Sequence, residues 1–146
     1  MKGNGKDRFD EYLGVVGKDG FSSGCFYFEV QVKEQTKWDL GVTRESAKRG
    51  GIVLSPDDGY WIVRKRDGEY RARDSSDYSL SLSVNPQRVG VFVDYEKGLV
   101  CFNDVESKSH IYSYTDQCFN EKLYPFVCLG YWRNGNSTPL IICDDY

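Results

Sequence analysis

The sequence predicts an all-β protein, two antiparallel sheets packed face to face as a β-sandwich, with little or no helix. Three observations carry that expectation. Short runs alternate apolar and polar residues, and no long stretch keeps a 3.6-residue period. Aromatic residues, which favour strands, are abundant: Tyr 11, Phe 8 and Trp 3 in 146 residues. Gly 15 supplies the turns between them. Roughly ten or more short strands at turn-punctuated spacing imply two sheets, each giving alternate residues to a shared core.

Each element follows from its own pattern. "YLGVV", beginning at Tyr12, is a candidate strand near the start. In "CFYFEVQVK", Phe26, Phe28, Val30 and Val32 share one face and Tyr27, Glu29 and Gln31 the other. In "KWDLGVT", Trp38, Leu40 and Val42 face the core, and Asp39, Gly41 and Thr43 face away. The short "EQT" link between these runs predicts a hairpin. "RESAKR" reads as a short helical turn ended by Gly50-Gly51. Asp57-Asp58-Gly59 reads as a turn, because the further ligands of a calcium loop do not follow it. "RVGVFVDY" puts Val89, Val91 and Val93 on one face with Phe92 opposite, and turns through Glu96–Gly98 into "LVCFND". "HIYSY", "LYPFVCLG" and "PLIICD" complete the strands.

The run "GYWIVRKRDGEYRAR" is the most informative. Asp67-Gly68 predicts a type I′ turn, which needs positive φ at both central positions. Arg66 then sits opposite Glu69, Lys65 opposite Tyr70, Arg64 opposite Arg71 and Val63 opposite Ala72. Trp61, Val63, Tyr70 and Ala72 face the core, with Lys65 near the tip. Ile62, Arg64, Arg66, Glu69, Arg71 and Arg73 face outward. Four arginines against one glutamate predict a local positive patch on a chain of net charge −3. Such a patch keeps a sheet edge soluble, or grips a carboxylate or phosphate through forked guanidinium contacts.

The totals set limits. The length fits one domain, and a pI near 5.2 argues against general attraction to nucleic acid. No apolar run approaches the length of a membrane span, and no leader peptide is visible. The five cysteines, Cys25, Cys101, Cys118, Cys128 and Cys143, fall mostly among apolar strand residues and predict free thiols in a reducing, cytoplasmic compartment. Asn136-Ser137-Thr138 matches a glycosylation triplet of a kind common by chance. Catalysis is not expected: His110 is the only histidine, and nothing in the sequence places it beside a nucleophile. No zinc-ligand spacing or phosphate loop is present, so no cofactor or metal is expected. Tyr131, Trp132 and Arg133 end an apolar strand before an Asn-Gly-Asn loop, and are residue types enriched at binding hot spots. Asp39, facing outward, caps a turn or pairs with a cation of the domain or of a partner.

These segments, in this order, resemble the B30.2 (PRY-SPRY) domain. "FYFEVQV" is similar to the family's Trp-Glu-Val-Glu signature, and Val93-Asp94-Tyr95-Glu96 to its Leu-Asp-Tyr-Glu signature. "WDLGVTRES", "GYWIVRKRDGEY" and "YPFVCLGYW…TPLIIC" match as well. The resemblance implies one domain over residues 1–146, with the N-terminal PRY part (about 1–20) shortened and "RFDEYLGVVG" its last piece. It implies a bent sandwich of the concanavalin-like jelly-roll kind that recognises protein ligands through loops at one side, as the non-catalytic targeting part of a larger innate-immunity or ubiquitin-ligase protein. The family's recognition surface falls here on Asp39, Arg64, Arg66 and the Tyr131–Arg133 loop. Arg71, on the same outward face, joins the candidate site. The alternative ligand is a small phosphorylated anion on the arginine face. A single-stranded RNA platform is the third reading, and the acidic total weighs against it.

Overall fold

A computed structural model of the chain describes residues 20–47, 55–129 and 142–143. These residues form ten strands: β1 Cys25–Gln31, β2 Trp38–Arg44, β3 Tyr60–Arg66, β4 Glu69–Arg73, β5 Asp77–Leu80, β6 Arg88–Asp94, β7 Leu99–Asp104, β8 Ser109–Tyr114, β9 Leu123–Leu129 and β10 Ile142–Cys143. A single 3₁₀ turn, Pro56–Asp58, precedes β3, and Gly59 closes it at φ 93°. The strands make two five-stranded antiparallel sheets, ordered β10-β1-β6-β7-β8 and β5-β4-β3-β2-β9.

The core lies between the sheets. Phe28, Val30, Val89, Val91, Val93, Val100 and Phe102 line the first sheet, and Trp38, Leu40, Val42, Trp61, Val63, Tyr70 and Ala72 the second. Apart from Val100 and Phe102, whose strand was given no face, these are the residues that the period-two patterns assign inward. Tyr114 bridges the layers. Its hydroxyl, carried on β8 of the first sheet, donates to Ile62 O at 2.6 Å in the second. It also lies 3.2 Å from Arg73 O, and the enclosure pushes the phenol well above its ordinary pKa.

Two of the three predicted hairpins form. Asp67 and Gly68 adopt φ 53° and 77°, and the β3–β4 register pairs Val63 with Ala72, Arg64 with Arg71, Lys65 with Tyr70 and Arg66 with Glu69. β6 and β7 close as a hairpin with Asp94 opposite Leu99.

Two expectations fail. β1 and β2 are not a hairpin: β1 pairs with β6 and β10, while β2 pairs with β3 and β9. The "EQT" link is an arch that carries the chain across the sandwich, turning at Glu34 with φ 67°. An arch lets the apolar faces of β1 and β2 meet across one core, where a hairpin would set them side by side. Cys25, Cys101, Cys118 and Cys128 are free thiols, as expected. Cys25, Cys118 and Cys128 are exposed, because they sit at a strand start, in a loop and on an outward face. Arg44–Ala47 of "RESAKR" form a turn closed by Ala47 N to Arg44 O, without helix; the remainder, with Gly50-Gly51, lies outside the described residues, as does "YLGVV".

Candidate functional site

Strand parity fixes the outward face of the second sheet. Trp38 and Leu40 enter the core, so Asp39 between them points away. Register then lines up one row across the sheet: Cys128 on β9, Asp39 on β2, Arg64 on β3, Arg71 on β4 and Ser79 on β5. Arg66 and Glu69 lie nearer the hairpin tip, and Ile62 and Arg73 farther from it.

Asp39 organises this row. Its side chain faces outward yet is only 4% exposed. Arg64 Nε donates to Oδ1 at 3.1 Å, and Arg64 Nη2 approaches Oδ2 at 3.4 Å. Arg66 Nη2 donates to Oδ2 at 3.0 Å. The second terminal nitrogen of Arg66 turns inward, to Lys65 O at 2.8 Å and Trp38 O at 3.3 Å. One carboxylate therefore holds two guanidiniums in fixed orientations. Of the alternatives open for Asp39, pairing with a cation of its own domain is the one the geometry realises.

The adjacent arginines have their own acids. Arg71 donates to Asp77 Oδ2 at 3.2 Å and to Glu69 Oε1 at 3.0 Å. Arg73 approaches the same Asp77 at 3.9 Å. The predicted positive patch is thus an ion-pair network of four arginines and three carboxylates, with one positive charge in excess. The like-charge pair Arg64–Arg71 persists because each guanidinium is neutralised on its far side, by Asp39 and by Asp77. Asp77 is the residue that sequence reasoning missed. Its signal was the close spacing of "RARDSSD", which brings Asp77 opposite Arg73 across a tight turn.

The face is not uniformly polar. Ile62, assigned outward, is 1% exposed, and buried Tyr60 makes an edge-on contact with Phe126, centroids 5.4 Å apart. At the tip, Lys65 lies over the Tyr70 ring at 5.4 Å and donates to Gln35 O at 3.4 Å. Burial lowers the pKa of this lysine. A groove of about 300 Å³ beside it is lined by Thr36, Lys37, Lys65, Asp67 and Gly68. Cys128, at the other end of the row, has its thiol pKa raised, first by burial and then by the Asp39 charge, while Arg66 and Arg64 oppose the shift.

Asp39, Arg64, Arg66 and Arg71 are therefore brought together. Tyr131, Trp132 and Arg133 lie outside the described residues, as does the Asn136 triplet. His110 is an exposed residue of β8, with Nε2 2.8 Å from Ser113 Oγ. Among the described residues no carboxylate accepts a hydrogen bond from the His110 ring. Among the described residues no group of three metal-ligating side chains gathers, and no helix is long and apolar enough to cross a membrane.

Comparison with known proteins places this geometry. The chain is 44% identical over 143 residues to mouse erythroid membrane-associated protein, covering 95% of this chain and 25% of that one. It is 40% identical over 141 residues to the mouse E3 ubiquitin-protein ligase TRIM21, covering 94% of this chain and 30% of that one. The chain thus spans under a third of the length of these relatives. The crystal structure of the TRIM65 PSpry domain superposes with a TM-score of 0.67 at 20% identity, over 87% of this chain and 68% of that one. The model of the SPRY domain matches residues 25–142. A sandwich of two antiparallel sheets, this run of motifs and a match across nearly all the described strands leave one assignment: the chain belongs to the SPRY (B30.2) domain family of protein-interaction modules.

Proposed function

We propose that this domain is a non-catalytic recognition module that binds a protein partner on the outward face of β2, β3 and β4, together with the Tyr131–Arg133 segment. The observation that carries the reading is the Asp39 clamp. A buried carboxylate that fixes two partly exposed guanidiniums removes their conformational freedom before any partner arrives, which lowers the entropic cost of binding. Arg66 and Arg71 are 35% and 37% exposed and offer the accessible guanidinium edges. One excess positive charge favours an acidic partner surface, and the fixed forks favour carboxylates at defined spacing. Leu129, two positions before Tyr131 in the sequence, pairs with Trp38 beside Asp39, which is why the proposal includes the Tyr131–Arg133 segment. The partner is intracellular, and the domain serves as the targeting part of a larger ubiquitin-ligase or innate-immunity protein.

The test is partner capture by the full chain carrying Arg64→Glu/Arg66→Glu, beside Arg71→Glu and a Tyr131→Ala/Trp132→Ala variant, with folding followed by circular dichroism. Loss of the same partner from all three folded variants supports the reading. Undiminished capture by both arginine variants removes the hairpin face from the site. The small-anion alternative draws no support from the geometry, because Arg64, Arg66, Arg71 and Arg73 each already face a carboxylate. Calorimetric heat with a phosphorylated metabolite, lost in Arg71→Glu, would restore it.

A further inference from the structure

We propose that Ser76 is a phosphorylation site for an arginine-directed serine kinase, and that its phosphate reverses the charge of the arginine face. Arg71 and Arg73 stand five and three residues before Ser76 in "RARDSS". Kinases of this class read arginines at those two positions with carboxylates in the substrate groove. The arginines must then project to one side, and on β4 they do, as alternate residues of the outward face. The ion pairs that now hold them are surface pairs, which exchange readily for better-placed carboxylates.

The acceptor is presented in the same way. Ser76 ends the β4–β5 turn, which is closed by Asp74 N to Ser76 O at 2.9 Å. Residues 75–79 are all exposed, and β5 is the four-residue edge strand of its sheet. The hydroxyl of Ser75 lies 3.3 Å from that of Tyr78, whereas Ser76 Oγ has no hydrogen-bond partner among the described residues. In the transfer, Ser76 Oγ attacks the γ-phosphorus of ATP and an O–P bond forms. The bond to the β-phosphate oxygen breaks, ADP leaves, and the hydroxyl proton passes to the kinase's catalytic carboxylate.

The product changes the network. A phosphoserine adds about −1.5 to −2 charges and three strong acceptor oxygens. Arg73 has the loosest attachment on this face, a 3.9 Å approach to Asp77, with its Nε lacking a hydrogen-bond partner. It turns to the phosphate, and Asp77, next in sequence to the new dianion, is displaced. The single excess positive charge of the face becomes a negative one. This regulatory consequence rests on the recognition reading above; the modification itself does not.

The test is incubation of the purified full chain with an arginine-directed kinase and ATP, read by intact mass and fragment mapping. Expected is one phosphate on Ser76, absent in Ser76→Ala, retained in Ser75→Ala, and slowed at least tenfold in Arg71→Ala and in Arg73→Ala. Arg73→Lys, which keeps the charge, restores part of the rate and separates recognition from misfolding. Equal labelling of Ser76→Ala, or a rate indifferent to both arginines, overturns the proposal. Neither outcome bears on capture by the Arg64→Glu/Arg66→Glu variant, so the two readings fail independently.

Discussion

Asp39→Asn tests the organisation of the arginine face most directly. The amide keeps the volume and one acceptor oxygen but removes the charge, and it turns an NH₂ toward one guanidinium. Asp39 accepts from Arg64 at 3.1 and 3.4 Å and from Arg66 at 3.0 Å, at 4% exposure. Hydrogen bonds to charged groups contribute about 1.5–3 kcal/mol each, and breaking a fully buried ion pair costs about 3–5 kcal/mol. Water reaches part of both arginines, 18% and 35% exposed, and Arg66 keeps its two carbonyls. The expected loss is therefore about 2–3 kcal/mol. With an unfolding entropy of about 2.1 cal/mol/K per residue over 146 residues, that lowers Tm by about 6–10 °C. A calorimetric melt measures it. Cys128 gives an independent readout, because the Asp39 charge helps to hold its thiol pKa up, so Asp39→Asn speeds alkylation of Cys128 at pH 8. A Tm fall below about 2 °C with unchanged Cys128 reactivity would refute the clamp.

Further outcomes follow from the same contacts. Tyr114→Phe leaves the buried Ile62 O and the part-buried Arg73 O without their hydroxyl donor and costs about 1–2 kcal/mol in urea unfolding; a neutral result would mean that water replaces the hydroxyl. Burial raises the pKa of both Tyr112 and Tyr114 in the folded state, and the hydrogen bond to Asp74 adds to it for Tyr112 and neighbouring charges for Tyr114. The unfolded chain therefore loses these protons first, and their contribution, complete below about pH 10, falls as pH rises beyond it. Tm between pH 9 and 11 should drop less steeply in Tyr112→Phe/Tyr114→Phe than in the parent, and equal slopes would contradict this. A Cβ on Gly41 would stand 2.0 Å from Trp61 O, so Gly41→Ala parts β2 from β3 and lowers Tm by several degrees; an unchanged melt would show that the strands absorb it. Partner binding on a face with one excess charge should weaken less than tenfold between 50 and 300 mM salt, since long-range steering is small, whereas a steep loss would indicate unpaired arginines.

Much of this was legible in the sequence where the determinant was local. Asp67-Gly68 sets the register of β3 and β4 because turn chemistry acts over two residues, and alternation then sorts Trp61, Val63 and Tyr70 from Arg64, Arg66 and Arg71. What escaped was set by distant partners. Asp39 lies 25 positions from Arg64, and only the pairing of β2 with β3 places it opposite. The arch after β1 looked like a hairpin because link length does not say whether two apolar faces lie side by side or face one another. β5 was missed because "DYSL" buries little, and its Ser-rich surroundings read as loop. Ile62 shows the converse error: parity gave its direction correctly, but not that the outward face is closed over at that point.

The count of charges alters what the arginines can do. A bare cluster attracts anions of any shape, by field strength, and releases them as salt rises. Here each guanidinium is already oriented by an acid of the same domain, so a partner gains only if its carboxylates meet the open edges of Arg66 and Arg71 without displacing Asp39 or Asp77. On the proposed reading such a face discriminates by geometry, and part of the Coulomb energy that a bare cluster would offer is already spent within the domain. The inner and outer parts of the network differ in how easily they are rearranged. Asp39 is 4% exposed, and its pairs hold the register of β2 on β3. Asp77 is on the edge strand, its side chain 37% exposed, and its pairs are replaceable. A clamp at the centre with an exchangeable pair at the margin gives a surface whose shape is fixed by the fold, while the proposed phosphorylation would reset its charge at one turn, between Arg73 and Asp77.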